Sequence, residues 1–252
     1  MSVIVITGAS SGLGREYFKA ASERYGDCEF WLVSRRKEAL LETAALNKNV
    51  KCRIIPCDLS DEKELFDFTE MMKNEDPDIR LFVKNARYGK LGYTDSIPPK
   101  VQSNMVILNC ASLTALCAEA VHHIKAGGSI INIASIASFA PTPRMAVYSS
   151  TKAYVRAFSN CLREELKPKK INVLAVCPGP MKTGFLSAAD ITDENSKAFR
   201  DLPYCDASEI ARKSIIKAEK GRAVYTNRFI YKFYRLIAKL LPHSLVMKFS
   251  KC

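Results

Sequence analysis

The chain has 252 residues, 48% of them apolar, and a formal net charge of +12, which is enough material to bury one sizeable core. With 11 Gly, 11 Pro, 25% charged residues and no low-complexity tract, the disordered, collagenous and fibrous classes are excluded. The charge is uneven: Arg212 to Cys252 holds eleven basic residues and one acid, Glu219, so the positive balance describes a tail and gives no reason to expect a nucleic-acid partner.

Nine cysteines, an odd number without a C-x-x-C pair, predict reduced core side chains and a cytoplasmic setting. His122, His123 and His243 lack metal-ligand spacing with Cys or acids, so no zinc or iron centre is expected. The N-terminus is apolar from its third residue and has no basic leader, which reads as a first strand rather than a signal peptide or a membrane span. Short β-branched runs recur at Val3 to Thr7, Glu29 to Val33, Arg53 to Pro56, Leu81 to Val83, Ser129 to Ile133, Ile171 to Val176 and Ala223 to Thr226. Nearly continuous apolar runs of this length suit strands buried on both faces. Helical spacing fills the gaps at Leu13 to Arg24, Lys37 to Leu46, Glu62 to Lys73, Val101 to Ile124, Met145 to Leu166 and Ala207 to Glu219. The alternation predicts an α/β fold built of right-handed crossovers, a doubly wound parallel sheet of about seven strands with helices on both faces. Residues 1–227 are expected to form one domain and residues 228–252 a basic amphipathic tail. Met181 to Cys205 falls outside the alternation, and its Phe185, Leu186, Ile191, Phe199 and Leu202 predict a segment that closes over a lipophilic substrate.

Directly after the first strand stands Thr7-Gly8-Ala9-Ser10-Ser11-Gly12-Leu13-Gly14, opening a helix. Glycines allow a tight turn and close approach, and a helix N-terminus offers free N–H groups to a pyrophosphate. The segment resembles the T-G-x-x-x-G-x-G signature of the short-chain dehydrogenase/reductases, in their form of about 250 residues, which implies a Rossmann-like fold. It also implies that Gly8, Ser10, Ser11, Gly12, Leu13 and Gly14 hold the cofactor. The second strand ends in Ser34, Arg35 and Arg36, with no acid until Glu38. A base here favours a 2′-phosphate over a ribose 2′-hydroxyl, so NADP(H) is expected, with Arg35 as the main phosphate contact. Asp58 and Leu59 are similar to the pair that holds the adenine in this family. Lys84-Asn85-Ala86-Arg87 stands where the family usually has N-N-A-G: Asn85 and Ala86 match, while Lys84 and Arg87 depart from the pattern.

Tyr148 and Lys152 lie four apart on one helix and therefore on one face. With ten Tyr and 23 Lys in 252 residues, chance supplies about one such pair, so the context decides. Ser135 lies 13 residues earlier, just past a strand, and Asn109 lies on the long helix before that. Together Asn109, Ser135, Tyr148 and Lys152 resemble the catalytic tetrad of the family. A carbonyl accepting hydride needs a proton donor and an oriented hydrogen bond at its oxygen, and a nearby ammonium lowers a tyrosine pKa from about 10. The resemblance implies that Ser135 holds the substrate oxygen and Tyr148 exchanges the proton. It also implies that Lys152 bonds the nicotinamide ribose and that Asn109 keeps a relay water. Pro178, Gly179, Met181 and Thr183 resemble the element that lies by the nicotinamide.

The expected activity is an NADP(H)-dependent dehydrogenase or reductase acting on the carbonyl or alcohol of a small, lipophilic molecule of steroid, bile-acid or acyl type. The resemblance also implies a homo-oligomer. A 3-oxoacyl carrier-protein reductase is the alternative enzyme, although those relatives end soon after the last strand. A dinucleotide-binding protein without turnover is the alternative of another class, allowed by Lys84 and Arg87. In the tail, Arg228, Lys232, Arg235 and Lys239 form one helical stripe beside Phe229, Ile230, Phe233, Leu236, Ile237, Leu240 and Leu241. Such a helix is too charged and short to span a bilayer. It either packs its apolar side on the core or a partner subunit, or makes peripheral membrane contact.

Overall fold

The computed structural model describes residues 1–192, 196, 199 and 201–249. Strands β1 (Val3–Thr7), β2 (Glu29–Ser34), β3 (Lys51–Pro56), β4 (Ile79–Lys84), β5 (Ile124–Ile133), β6 (Asn172–Val176) and β7 (Val224–Tyr225) form one parallel sheet in the order β3-β2-β1-β4-β5-β6-β7. Side chains alternate across a pleated strand, so Val3 and Val5 enter one core while Ile4 and Ile6 enter the other. Helices α1 (Gly12–Arg24) and α8 (Ala207–Glu219) cover the second face, where Leu13, Tyr17, Phe18 and Ala21 meet Ile210 and Ile215. Helices α3 (Glu62–Glu75), α5 (Ser112–His123) and α6 (Ala146–Leu166) cover the first, through Leu65, Leu116 and Val155. Helix α2 (Lys37–Ala44) lies beside β2 and β3. The helix starts are chemically set: Asp61 accepts from Glu64 N at 2.9 Å and Asp206 from Ser208 N at 2.7 Å, caps worth about 1 kcal/mol each.

Several boundaries differ from the sequence expectation. The helix expected over Val101 to Ile124 is present over Pro99–His123 but not uniform: α4 (Pro99–Val106) passes through a π turn, Ile107–Ala111, into α5, and Ile124 already belongs to β5. The segment after β6 is not without structure, since it carries α7 (Gly184–Ala188). Of that segment, residues 193–195, 197, 198 and 200 lie outside the described residues. The eight described cysteines are free, but Cys161 is exposed rather than in the core. By length and composition the stretch Pro99–His123 could cross a bilayer. Here its Leu113, Leu116, Cys117 and Ala120 are packed into the first core.

The tail is two helices, α9 (Phe229–Leu240) and α10 (His243–Phe249). Tyr231 and Ala238 of α9 and Val246 of α10 are buried against the domain. The expected packing role of the tail is therefore realised along one face.

Candidate active site

At the carboxyl edge of the sheet, β1 lies between β2 and β4, so the chain leaves these neighbours in opposite directions and a crevice opens, the usual ligand place in open α/β sheets. Gly8 (φ +65°) and Gly12 (φ +50°) adopt left-handed conformations, and a Cβ on Gly14 would stand 2.0 Å from the Gly8 carbonyl oxygen. Only glycine fits this turn. Ser11 caps α1 by position, but its side chain makes no capping hydrogen bond, which leaves the first amides of the helix available to an anion. Asn85 braces the turn: Nδ2 donates to Thr7 O at 3.2 Å and Gly8 O at 3.0 Å, while Thr7 Oγ1 accepts from the amides of Asn85 and Ala86.

A cleft of 940 Å³ runs from this turn along Gly8, Ser10, Ser11, Gly12 and Leu13, past Ser34, Arg35, Asp58 and Leu59, to Asn85, Ala86 and Thr183. At its far end the Ser34 hydroxyl is buried with no hydrogen-bond partner. Arg35 is largely exposed, with Nη1 3.7 Å from an Asp58 carboxylate oxygen. An uncapped helix start, a glycine cradle, an orphaned hydroxyl and an accessible guanidinium fit a nicotinamide dinucleotide, from pyrophosphate to adenosine ribose.

Of the four expected residues, Ser135 and Tyr148 line one pocket beyond the cleft and Lys152 lies by the Tyr148 ring. Ser135 follows β5 and accepts from Ala137 N at 3.2 Å. Lys152 is buried one turn along α6, with Nζ donating to Ile133 O at 2.8 Å and lying 5.7 Å from the Tyr148 ring centroid. Asn109 sits in the π turn, a deformation common at functional sites. It ties two segments: Oδ1 accepts from Tyr88 N at 3.0 Å, and Nδ2 donates to Tyr88 O at 2.8 Å and Thr151 Oγ1 at 3.0 Å.

The electrostatics differ from the simple expectation. Burial pushes the Tyr148 phenol up; Arg87, then the Ser135 hydrogen bond, pull the other way. Burial holds the Lys152 ammonium well below its ordinary range, and the charges of Arg87 and Lys84 deepen that. Arg87 is thus a cation acting on Tyr148 that the sequence reading did not assign to it. Arg87 donates to Asn85 Oδ1 at 2.6 Å and lies 5.4 Å over the Phe185 ring. Lys84, the other departure, does not line the cleft, and Nζ donates to Ala86 O at 2.8 Å and Leu108 O at 2.6 Å. It joins β4 to the π turn.

A second cavity of 390 Å³ opens beside the tetrad, lined by Ser135, Tyr148, Pro178, Gly179, Met181, Thr183, Phe185, Leu186, Phe199 and Leu202. Pro178, Gly179 and Met181 line this pocket and not the cleft, whereas Thr183 lines both. Arg87 and Phe185 also line both, and the Phe185 ring leans on Tyr148 at 5.5 Å between centroids. Ile230, Tyr231 and Tyr234 of α9 complete the pocket wall. The sequence reading missed these three and Arg87 as site residues. Nothing local marks the tyrosines, but Arg87 was visible as a departure from the family pattern.

The chain is 27% identical to a sulfoacetaldehyde reductase of Chromohalobacter salexigens over 235 residues, 90% of this chain and 92% of that protein. Among solved structures it is similar to a short-chain dehydrogenase from Sphingobium yanoikuyae in complex with NADPH (26% identity, TM-score 0.81, 98% of this chain and 96% of the other). It is also similar to a bulky-bulky ketone specific alcohol dehydrogenase from Comamonas testosteroni (25% identity, TM-score 0.76, 98% and 94%). The sequence model of the short chain dehydrogenases matches residues 2–194, which span the glycine turn, the tetrad and Thr183. Because this match covers well over half of its length, the chain belongs to the short-chain dehydrogenase/reductase family of oxidoreductases.

Proposed function

We propose that the protein is an NADP(H)-dependent oxidoreductase that moves hydride between the nicotinamide and a carbonyl or alcohol carbon of a lipophilic substrate, of steroid, bile-acid or acyl type. The observation that carries this reading is the apolar pocket whose wall holds Ser135 and Tyr148 and which meets the dinucleotide cleft at Arg87, Thr183 and Phe185. The NADPH complex of the Sphingobium relative and the ketone named for the Comamonas relative support it. So does the pair Arg35 and Arg36 where an NAD-selective site places an acid. A homo-oligomer in the cytoplasm is the proposed working form, with Val106, Ile107 and Tyr154 as exposed apolar side chains for its contacts.

The nicotinamide, when bound, supplies or accepts the hydride. The Ser135 hydroxyl donates to the substrate oxygen and fixes its direction. Tyr148 gives its proton as negative charge grows on that oxygen. Because burial raises the phenol pKa, Tyr148 stays protonated at neutral pH, the form that reduction needs. Lys152 Nζ, now on Ile133 O, is the donor for the nicotinamide ribose, and Asn109 holds the π turn open beside it for a relaying water. Arg35, with Arg36 beside it, receives the 2′-phosphate, and Asp58 and Leu59 border the adenine.

A panel of steroids, bile acids, acyl thioesters and simple aldehydes, assayed by NADPH consumption, tests the reading. Turnover is expected with bulky apolar carbonyls. A charge-assisted contact of about 1.5 to 3 kcal/mol at Arg35 should make NADPH preferred over NADH by about ten- to a hundredfold in kcat/KM. Arg35→Asp should abolish or reverse that preference. Equal use of both cofactors by the unmodified protein would refute the NADP assignment, and no turnover on any member would refute the enzyme.

A further inference from the structure

Helix α9 meets the body with one face only. Tyr231 and Ala238 are buried; the Tyr231 hydroxyl donates to Pro203 O at 2.6 Å and its ring lies against Gly179. Tyr234, on the same face, reaches Phe139 at 6.1 Å between ring centroids. On the opposite side Phe229, Phe233, Leu236 and Leu240 are 83%, 53%, 52% and 68% exposed. Their spacing of four, three and four residues makes one stripe turned away from the domain. Isolated apolar residues on a surface are ordinary, but a contiguous stripe of four large ones on an anchored helix marks a contact site.

Each stripe residue is preceded by a cation: Arg228, Lys232, Arg235 and Lys239, all exposed. The two stripes therefore run side by side, about 100° apart around the helix. Arg228 also donates to Tyr204 O, which fixes the start of the helix. No acid follows Glu219 in the chain. This charge pattern selects among occupants. A second copy meeting this face two-fold with antiparallel helices would bring its own four cations against these four, and with parallel helices it would offer no acid to pair them, whereas an anionic lipid surface complements them. An apolar stripe flanked by cations without acids is the pattern of helices that lie in a membrane interface.

We propose that the outer face of α9 docks the protein on an anionic bilayer, with Phe229, Phe233, Leu236 and Leu240 entering the acyl boundary and the cations at the headgroups. Ile230 lies between the stripe and the buried face. It is half exposed and lines the substrate pocket, so the pocket wall and the docking face are continuous. This would let a lipophilic substrate pass from bilayer to pocket. That consequence rests on the proposed function; the docking does not.

The test is co-flotation of the full chain, without cofactor or substrate, with vesicles of phosphatidylcholine alone and of phosphatidylcholine mixed with phosphatidylglycerol. Binding is expected only to the mixed vesicles and should weaken as NaCl rises. Lys232→Gln and Lys239→Gln should each weaken it about fivefold at low salt. The triple variant Phe233→Ser, Leu236→Ser, Leu240→Ser should lose it while keeping the melting temperature and NADPH binding, because these side chains are exposed. Absence of binding to mixed vesicles at low salt, or binding that the triple variant retains, overturns the proposal. So does a triple variant whose only change is a smaller sedimentation coefficient, which would make the stripe a self-association surface. Vesicle binding by a chain with no reductase activity supports docking and counts against the proposed function alone, so the two failures are distinct.

Discussion

Tyr148 is pulled in two directions, and the balance sets what it can do. Burial favours the neutral phenol, while Arg87 and Ser135 favour the phenolate. Burial is the largest influence, so the free protein holds an acid rather than a base. Tyr148→Phe keeps the ring contacts with Phe185 and removes the proton; kcat for carbonyl reduction should fall by at least the roughly 10² typical of acid-base groups. NADPH affinity, read by fluorescence titration, should be unchanged. In the unmodified enzyme the reduction rate should stay level through neutral pH and decline only above about 10, the ordinary tyrosine value. Oxidation of the matching alcohol should rise over that same alkaline range. A reduction profile that falls near neutrality would show that the phenol pKa is depressed. Tyr148, Lys152 and Ser135 were named from their resemblance to the family's tetrad, but their charge states were not legible. A pKa depends on desolvation and on Arg87, 61 positions away in sequence.

Among elements, α9 and the loop after β6 are fitted to each other. A Cβ on Gly179 would come within 2.2 Å of the Tyr231 ring, so the glycine is required by close approach, whatever its role toward the nicotinamide. Gly179→Ala should destabilise the protein by about 1 to 3 kcal/mol, as overpacking does, and raise KM by displacing the pocket wall. In a Tyr231→Ala background the same change should cost much less. Urea unfolding of the four proteins in that cycle measures the coupling; additive losses would mean that the ring and Gly179 do not share the space. The π turn is a second element-level result. Its wider backbone turn sets Asn109 between Tyr88 and Thr151, and the uninterrupted helix expected from composition would have placed that amide differently.

For the whole molecule, the departure at Lys84 has a consequence for stability. Burial lowers this ammonium from 10.5 to about 7. Between those values the unfolded chain holds a proton that the folded chain has released, so stability rises with pH across the window. Below about 7 both states are charged, and the full cost of burying the cation is present. Relative to Lys84→Met, the unmodified protein should therefore gain stability on going from pH 6 toward pH 10, by on the order of a few kcal/mol. Urea midpoints at stepped pH measure it. A difference that stays flat would show that the carbonyls of Ala86 and Leu108 keep Lys84 charged in the fold.

The sequence by itself determined the strands, the order of sheet and helix, and the glycine turn. Each of these is written in local periodicity or in short spacing, and burial on both faces leaves a parallel strand little freedom of composition. Its alternation also marked residues 181–205 as different, without showing α7 inside them. The tertiary structure alone decided which residues share a cavity. It joined Arg87 to Tyr148, tied Lys84 to the π turn, set Pro178, Gly179 and Met181 along the pocket that holds Tyr148, and brought Tyr231 onto Gly179. It also divided the apolar residues of α9 between a docked face and an exposed stripe. The sequence could place both on one helix, but which side meets the domain depends on contacts with Phe139, Gly179 and Pro203, distant positions that leave no periodic trace.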